Sequence, residues 1–392
     1  MVRSKSKKKG ELILPLIGLG LAGIILIILI SYLSGLDKKG SPLSFEEVST
    51  PSRELGRSIS LIDRAISHGF YKVGVPQERI IFLSVLPRHK DGYSRDFNSI
   101  EARIPHHRSI FQIGKEITNR ISNLRIPVQI KRDKESGNEI IYNIYYKDFY
   151  THKLRIILGT YQVPQRLSYP KIGIIIDDLG YDSSLAKAFM KFDLPLTFSV
   201  LPYAPNTRLI ALKAREKGRE IMLHLPMEPI NYPAINPGNG VLLVSMDKED
   251  ISEILNRDLG QIPFIAGVNN HMGSRFTENG EKMKVVLAEL KTRGLYFIDS
   301  RTSAGSVAFN VAKKIALRTA CRDIFLDNDL SDNALKIQME RLLSLARYKG
   351  WAIGIGHPHK KTLKLLKRFQ STLNNEAEVV PISNLVSSGV RP

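Results

Sequence analysis

The chain is short of cysteine and of acid. Cys321 is the single cysteine in 392 residues. A lone thiol excludes an intramolecular disulfide and any cysteine-based metal cluster, so a metal would have to rest on His, Asp or Glu. Acidic residues number 38 against 57 Lys and Arg, a formal net charge of +19. A balance that basic suggests nucleic acid, a membrane surface or an acidic polymer as partner. The excess is spread along the chain, however: +3 over residues 1–50 (7 minus 4), +9 over 51–170 (20 minus 11) and +7 over 171–392 (30 minus 23). No basic helix with interleaved aromatics accompanies it, and a nucleic-acid partner is not expected. Hydrophobic residues at 43% and charged residues at 24% are globular proportions, which set disordered and collagen-like classes aside.

Leu12 to Leu33 runs 22 residues without a charge, behind Arg3, Lys5, Lys7, Lys8 and Lys9. At about 1.5 Å per residue a helix of that length crosses a hydrocarbon core of roughly 30 Å. The stretch is long for a cleaved signal, and Ser31–Gly35 offers a poor cleavage site. The expectation is an uncleaved single-pass anchor over residues 1–35, its basic tail cytoplasmic and the rest of the chain outside the inner membrane. Residues 36–50 read as a polar linker.

Residues 51–165 read as a small α+β domain of unknown role. An apolar stripe at Ile59, Ile62, Ala65 and Ile66 predicts a helix over 52–68, and Ile110, Ile113, Ile117 and Ile121 predict a second. Strands are expected at 80–86, 128–130, 140–146 and 154–158. His106–His107 reads as a solvated loop ahead of a Ser109 helix cap, because neighbouring strand residues face opposite ways and would not share a metal.

From Lys171 onward, short apolar runs alternate with amphipathic helices. Strands are expected at 172–176, 197–201, 220–225, 264–268, 296–298, 323–326, 351–355 and 379–381, with helices between them. The alternation predicts a parallel sheet, and the number of units suits a closed α/β barrel better than an open sheet. Six of these strands run into an ionisable residue: Asp177–Asp178, His224, His271 after Asn269–Asn270, Asp299, Asp327 and His357. In such barrels chemistry is built on that rim. Asp177–Asp178 has an alternative use as a helix cap, but Asp182 supplies the cap closer to the helix. His224 and His271 taken singly also fit buried core histidines. Asp299 and Asp327 also fit structural roles, orienting loops. Together, one Asp and two His are an ordinary divalent-metal shell with positions left for water.

The strings IGIIIDDLGY, MLHLPMEP, GVNNHMGSRF, FIDSRTS and GIGHPH, with the loop Asn236–Gly240, resemble the polysaccharide deacetylases, most closely their divergent branch. The resemblance covers about residues 171–385. It implies a distorted (β/α) barrel of seven or eight units that uses a divalent metal, zinc foremost, to remove acetyl groups from an acetylated polysaccharide or peptidoglycan-like glycan. It implies Asp177 as general base, Asp178 and His224 as metal ligands and His357 as the acid that protonates the leaving group. The family's second motif carries two histidines four apart, whereas this chain has His224 and Glu228. His271 is then expected to supply the missing imidazole, with Glu228, Asn270, Asp299 and Asp327 as supporting residues. Other readings are an envelope protein that binds glycan or a partner without turnover, and, more weakly, another metal hydrolase such as a phosphatase.

Overall fold

The structure, a computed structural model, describes residues 50–90, 93–105, 109–159 and 169–388, all within one compact unit. The expected membrane span and His106–His107 lie outside the described residues. Among the described residues no helix is long and apolar enough to cross a membrane.

The first layer is a five-stranded sheet with strands β1 (Ile80–Lys90), β2 (Tyr93–Ile104), β3 (Val128–Ser136), β4 (Glu139–Tyr146) and β5 (Phe149–Leu158), ordered β1-β2-β5-β4-β3. Helices α1 (Thr50–Lys72) and α2 (Ile110–Ser122) accompany it. The stripes read from the sequence are the buried ones: Ile59, Ile62, Ala65 and Ile66 in α1, and Ile110, Ile113, Ile117 and Ile121 in α2. Ser109 caps α2 by accepting from the Gln112 N–H. Sequence periodicity does not find β2. Arg95, Asp96, Glu101 and Arg103 interrupt it, and the buried carboxylate of Glu101 is matched by Arg103 and by Arg155 of β5, each at 2.7 Å. This sheet abuts the second layer directly, where the Phe82 N–H of β1 donates to Ser344 Oγ at 3.1 Å.

The second layer is a curled, all-parallel half-barrel of nine strands. These are β6 (Lys171–Leu179), β7 (Thr197–Val200), β8 (Glu220–Met227), β9 (Gly267–Met272), β10 (Tyr296–Asp299), β11 (Thr319–Cys321), β12 (Ile324–Phe325), β13 (Trp351–Gly356) and β14 (Glu378–Val379). Their order is β11-β10-β9-β8-β7-β6-β13-β12, with β14 also on β6. Helices follow most strands: α3 (Ser183–Met190), α4 (Thr207–Glu216), α5 (Lys248–Gln261), α6 (Gly280–Thr292), α7 (Ala308–Lys314), α8 (Asp332–Lys349) and α9 (Lys360–Glu376). The apolar run Ile172–Ile176 has no polar alternation because a parallel strand is covered on both faces. Asp182 caps α3 as expected, accepting from the Ser184 and Leu185 N–H groups.

The ladder does not close. β11 and β12 are its two edges, and only Arg322 and Asp323 separate them in sequence. Buried Arg322 stands at this seam, donating to Ser300 O at 2.7 Å, Arg301 O at 3.1 Å and Asp96 Oδ2 of β2 at 3.2 Å. The strand expected at 264–268 runs instead over 267–272, so Asn269 and His271 stand inside β9. β6 and β8 likewise extend through Asp177–Asp178 and His224.

Candidate functional site

Strand alternation alone would send Asp177 and Asp178 to opposite faces. The chain avoids this by placing Asp178 in the left-handed region at φ 54°, where the β6–β7 register shifts between Ile176 and Leu179. Both carboxylates are therefore buried in the same rim. That conformation is tolerated best, after glycine, by Asn and Asp.

Asp178 Oδ1 lies 3.0 Å from His224 Nε2 and 3.0 Å from His271 Nδ1, and the two imidazole nitrogens are 3.1 Å apart. Three potential ligand atoms thus form a nearly equilateral triangle from β6, β8 and β9, with β7 between the first two. Neither oxygen of Asp178 has a properly directed hydrogen bond among the described residues. Two ligands each about 2.0–2.1 Å from one cation stand roughly 2.9–3.4 Å apart, depending on coordination angle. The triangle fits a divalent metal.

Asn269 orders this cluster, although it is absent from the menu of metal ligands. It sits two residues before His271 on the same face of β9 and in register with His224. Its Oδ1 accepts from His224 Nδ1 at 2.9 Å and from Ser199 Oγ at 2.5 Å. Its Nδ2 donates to both oxygens of Asp177, at 2.9 and 3.0 Å. With the His224 proton on Nδ1, the Nε2 lone pair is left for the triangle, the usual outer-shell device for orienting a histidine ligand. Strand alternation from His271 is the signal that would have found Asn269.

Asp177 stands beside the triangle, 3.8 Å from His224 Nε2. Burial holds its carboxyl above the ordinary value, against the charges of His224 and His357. Burial acts the same way on Asp178, but there His271 and His224 prevail and hold it well below the carboxylate range. Burial would lower His224, yet Asp177 and Asp178 keep it raised. A position that favours a proton at Nε2 by its surrounding charge favours a metal cation there for the same reason.

On the other side His357 Nε2 lies 4.0 Å from Asp178 Oδ2. Its Nδ1 donates to Asp327 Oδ1 at 2.8 Å, and its backbone N–H donates to Asp327 Oδ2 at 2.6 Å. Burial opposes the charged ring, but Asp327 outweighs it and pushes the imidazole up to about 10. Asp327 is therefore the orienting partner of His357.

The other supporting residues do different work. Glu228 accepts from Arg275 Nη1 at 2.9 Å and from the Val244 N–H at 2.6 Å, tying two loops together rather than bonding Asp178, His224 or His271 among the described residues. Asp299 caps its own loop through the Arg301 N–H and Ser306 Oγ, both at 2.8 Å. Asn270 points away from His271 and holds the Ser300 N–H at 2.9 Å. These two shape the rim without entering the site.

A sequence model of the divergent polysaccharide deacetylases matches residues 174–386, which includes every residue of this cluster and excludes the five-stranded sheet. The uncharacterized protein YibQ of Escherichia coli is 32% identical over 217 residues, 55% of this chain and 67% of that one. An uncharacterized protein of Haemophilus influenzae is also 32% identical, over 55% of this chain and 76% of its own. The crystal structure of an uncharacterized protein from Agrobacterium tumefaciens superposes with a TM-score of 0.54 at 26% identity, covering 57% of this chain and 92% of that one.

Proposed function

Because the chain belongs to the divergent polysaccharide deacetylase family, we propose that it is a metal-dependent hydrolase that removes acetyl groups from an envelope or extracellular glycan. The observation that carries this reading is the placement of three converging ligand atoms between a buried carboxylate and a buried imidazole that favours its charged form. Asp178, His224 and His271 would hold the cation, zinc in our reading. When bound it would supply Lewis acidity to a carbonyl oxygen and lower the pKa of a water toward about 7.

The chain's own groups divide the proton work. Asp177, held by Asn269 and outside the triangle, takes the proton of the attacking water. His357, its Nε2 4.0 Å from Asp178 Oδ2, donates to the departing sugar amine, which cannot leave as an anion. Asp327 keeps that imidazole oriented and charged. Each matched acid or base contributes typically about 10²–10⁴-fold.

The test is acetate release from N-acetylated glycan by the full chain. Wild type releases acetate; Asp177→Asn loses at least about 10²-fold while retaining its metal. No release by metal-loaded wild type, or full activity in the variant, refutes the reading. Glu228 in place of a histidine favours a second reading, a glycan-binding protein without turnover. It expects glycan retention with no acetate released.

The charge-free run at 12–33 supports a membrane anchor with the half-barrel outside the inner membrane, beside envelope glycans. Extraction from membranes by detergent but not by high salt is the expected behaviour; release by salt alone contradicts it.

A further inference from the structure

The open seam of the half-barrel, between edge strands β11 and β12, is occupied by a cation. Arg322 is 2% exposed there. A guanidinium withdrawn from water needs a counter-charge. Among the described residues the carboxylate ion-paired with it is Asp96, whose Oδ2 lies 3.2 Å from Arg322 Nη1. Asp96 belongs to β2 of the five-stranded sheet, outside the 174–386 region that matches the deacetylase family. The buried charge of one layer is thus neutralised from the other.

Arg322 holds three consecutive carbonyls of the rim. Its backbone N–H donates to Asp299 O at 3.0 Å, its Nε to Ser300 O at 2.7 Å and its Nη2 to Arg301 O at 3.1 Å. Arg301 stands at φ 50°, a left-handed conformation that a long side chain keeps only where its surroundings hold it. Ser300 then connects this loop to the candidate site. Its N–H donates to Asn270 Oδ1 at 2.9 Å, and its Oγ accepts from Asn269 Nδ2 at 3.2 Å. That same Nδ2 donates to both oxygens of Asp177. An amide nitrogen has two protons. The place of Ser300 therefore sets how the Asn269 amide meets Asp177. A second line leads to the other proton-transfer group. The Arg322 guanidinium carbon lies 3.7 Å from the Phe325 ring centroid, and that ring stacks on His357 with centroids 5.9 Å apart.

We propose that Asp96 is a positioning residue, acting through Arg322 to fix the Ser300–Arg301 loop and, with it, the groups that move protons. The five-stranded layer thereby becomes a working part of the site. Without Asp96, Arg322 is a buried cation lacking its partner and turns toward water, releasing the carbonyls it holds. Arg301 then leaves its left-handed conformation, and Ser300 Oγ moves off Asn269. Another bond between the layers provides the contrast. Ser344 of α8 accepts from the Phe82 N–H of β1 at 3.1 Å, so it joins the layers without touching the seam. The inference rests on the hydrolase reading for the chemistry that is being positioned; the link from Asp96 to the loop stands on geometry alone.

The test compares Asp96→Ala, Asp96→Asn and Ser344→Ala in the full chain. Two quantities are read: amide hydrogen exchange over residues 299–303, and kcat and KM for acetate release from an N-acetylglucosamine oligomer. Asp96→Ala should speed exchange at least about tenfold and lower kcat about tenfold, with KM within about twofold, because a positioning residue touches no substrate. Asp96→Asn keeps an acceptor oxygen without the charge and should move both quantities the same way by about threefold. It carries the test alone if Asp96→Ala does not fold. Ser344→Ala should move neither. Exchange at the wild-type rate in the Asp96 variants overturns the proposal, as does an equal acceleration in Ser344→Ala. Faster exchange with an unchanged kcat overturns the positioning role. The two readings fail separately. No acetate from metal-loaded wild type refutes the hydrolase, whereas exchange, which needs no turnover, still decides whether Asp96 holds the loop.

Discussion

Among the described residues, two buried groupings of histidine and aspartate, Asp63–His152 and Asp177–Asp178–His224–His271, resolve their charge differently. In the first, Asp63 of α1 accepts from His152 Nε2 of β5 at 2.7 Å and is ion-paired to the buried guanidinium of Arg341 on α8. Burial would raise the Asp63 carboxyl, but Arg341 and His152 hold it below its ordinary value. The cluster supplies its own cation and bridges the two layers of the fold. In the second, Asp177 and Asp178 face His224 and His271, and no Lys or Arg is paired with either carboxylate among the described residues. With both imidazoles neutral for ligation, two carboxylates leave a charge of minus two, which a divalent cation cancels. Buried Asp and His are thus insufficient to mark a metal site. The missing organic cation and the unsatisfied oxygens of Asp178 mark it.

The sharpest way to break this comparison is to remove the internal cation. Arg341→Leu should cost about 3–5 kcal/mol of stability by stranding Asp63, with metal content unchanged. Adding Asp63→Leu should restore most of that loss in denaturant titrations. If the double variant is no better than the single, Arg341 is not neutralising Asp63.

Another buried carboxylate, Asp258, is ion-paired to no Lys, Arg or His among the described residues. Burial pushes it up to about 7, against the smaller downward pulls of Tyr203 and Arg257. Its folded form binds a proton more tightly than the unfolded form, so stability falls as pH rises from about 4 to 7 and the cost is complete above that. Asp258→Asn should flatten this slope and raise stability at pH 8 by on the order of 2–4 kcal/mol, with little change at pH 4. Equal slopes in the two proteins would contradict the assignment.

Within the second cluster, Asn269→Leu should weaken metal binding and turnover about 10–100-fold, since it frees both the His224 ring and Asp177. Unaltered metal affinity would remove Asn269 from its orienting role. The smallest effect is expected at the surface, where Lys364 lies 4.0 Å from Asp332 with both side chains exposed. Lys364→Ala should change stability by no more than about 1 kcal/mol, as expected for the solvated basic face of α9.

These contrasts also explain what the sequence could and could not tell. Sequence motifs pointed to Asp177, Asp178, His224, His271 and His357, because ionisable residues at buried strand ends are chemically conspicuous. Joint entry of Asp177 and Asp178 depends on a left-handed residue, which strand alternation does not predict. Asn269 was invisible to a search for ligands, since its amide acts on them and not on the metal. Glu228 and Asp299 look alike in sequence, yet their partners are loop N–H groups, an arginine and a serine, settled only by tertiary contacts. The Asp63–Arg341 pair spans 278 positions, beyond any local pattern. Strand β2 was hidden by charges, of which Glu101 is matched by Arg103 of the same strand and by Arg155 of the neighbouring β5.

The most direct measurement is the metal content of the purified full chain beside His271→Ala and His152→Ala. About one divalent ion per chain is expected in wild type and in His152→Ala, and near none in His271→Ala. A metal-free wild type, or an undiminished content in His271→Ala, would contradict the assignment of the second cluster as the metal site.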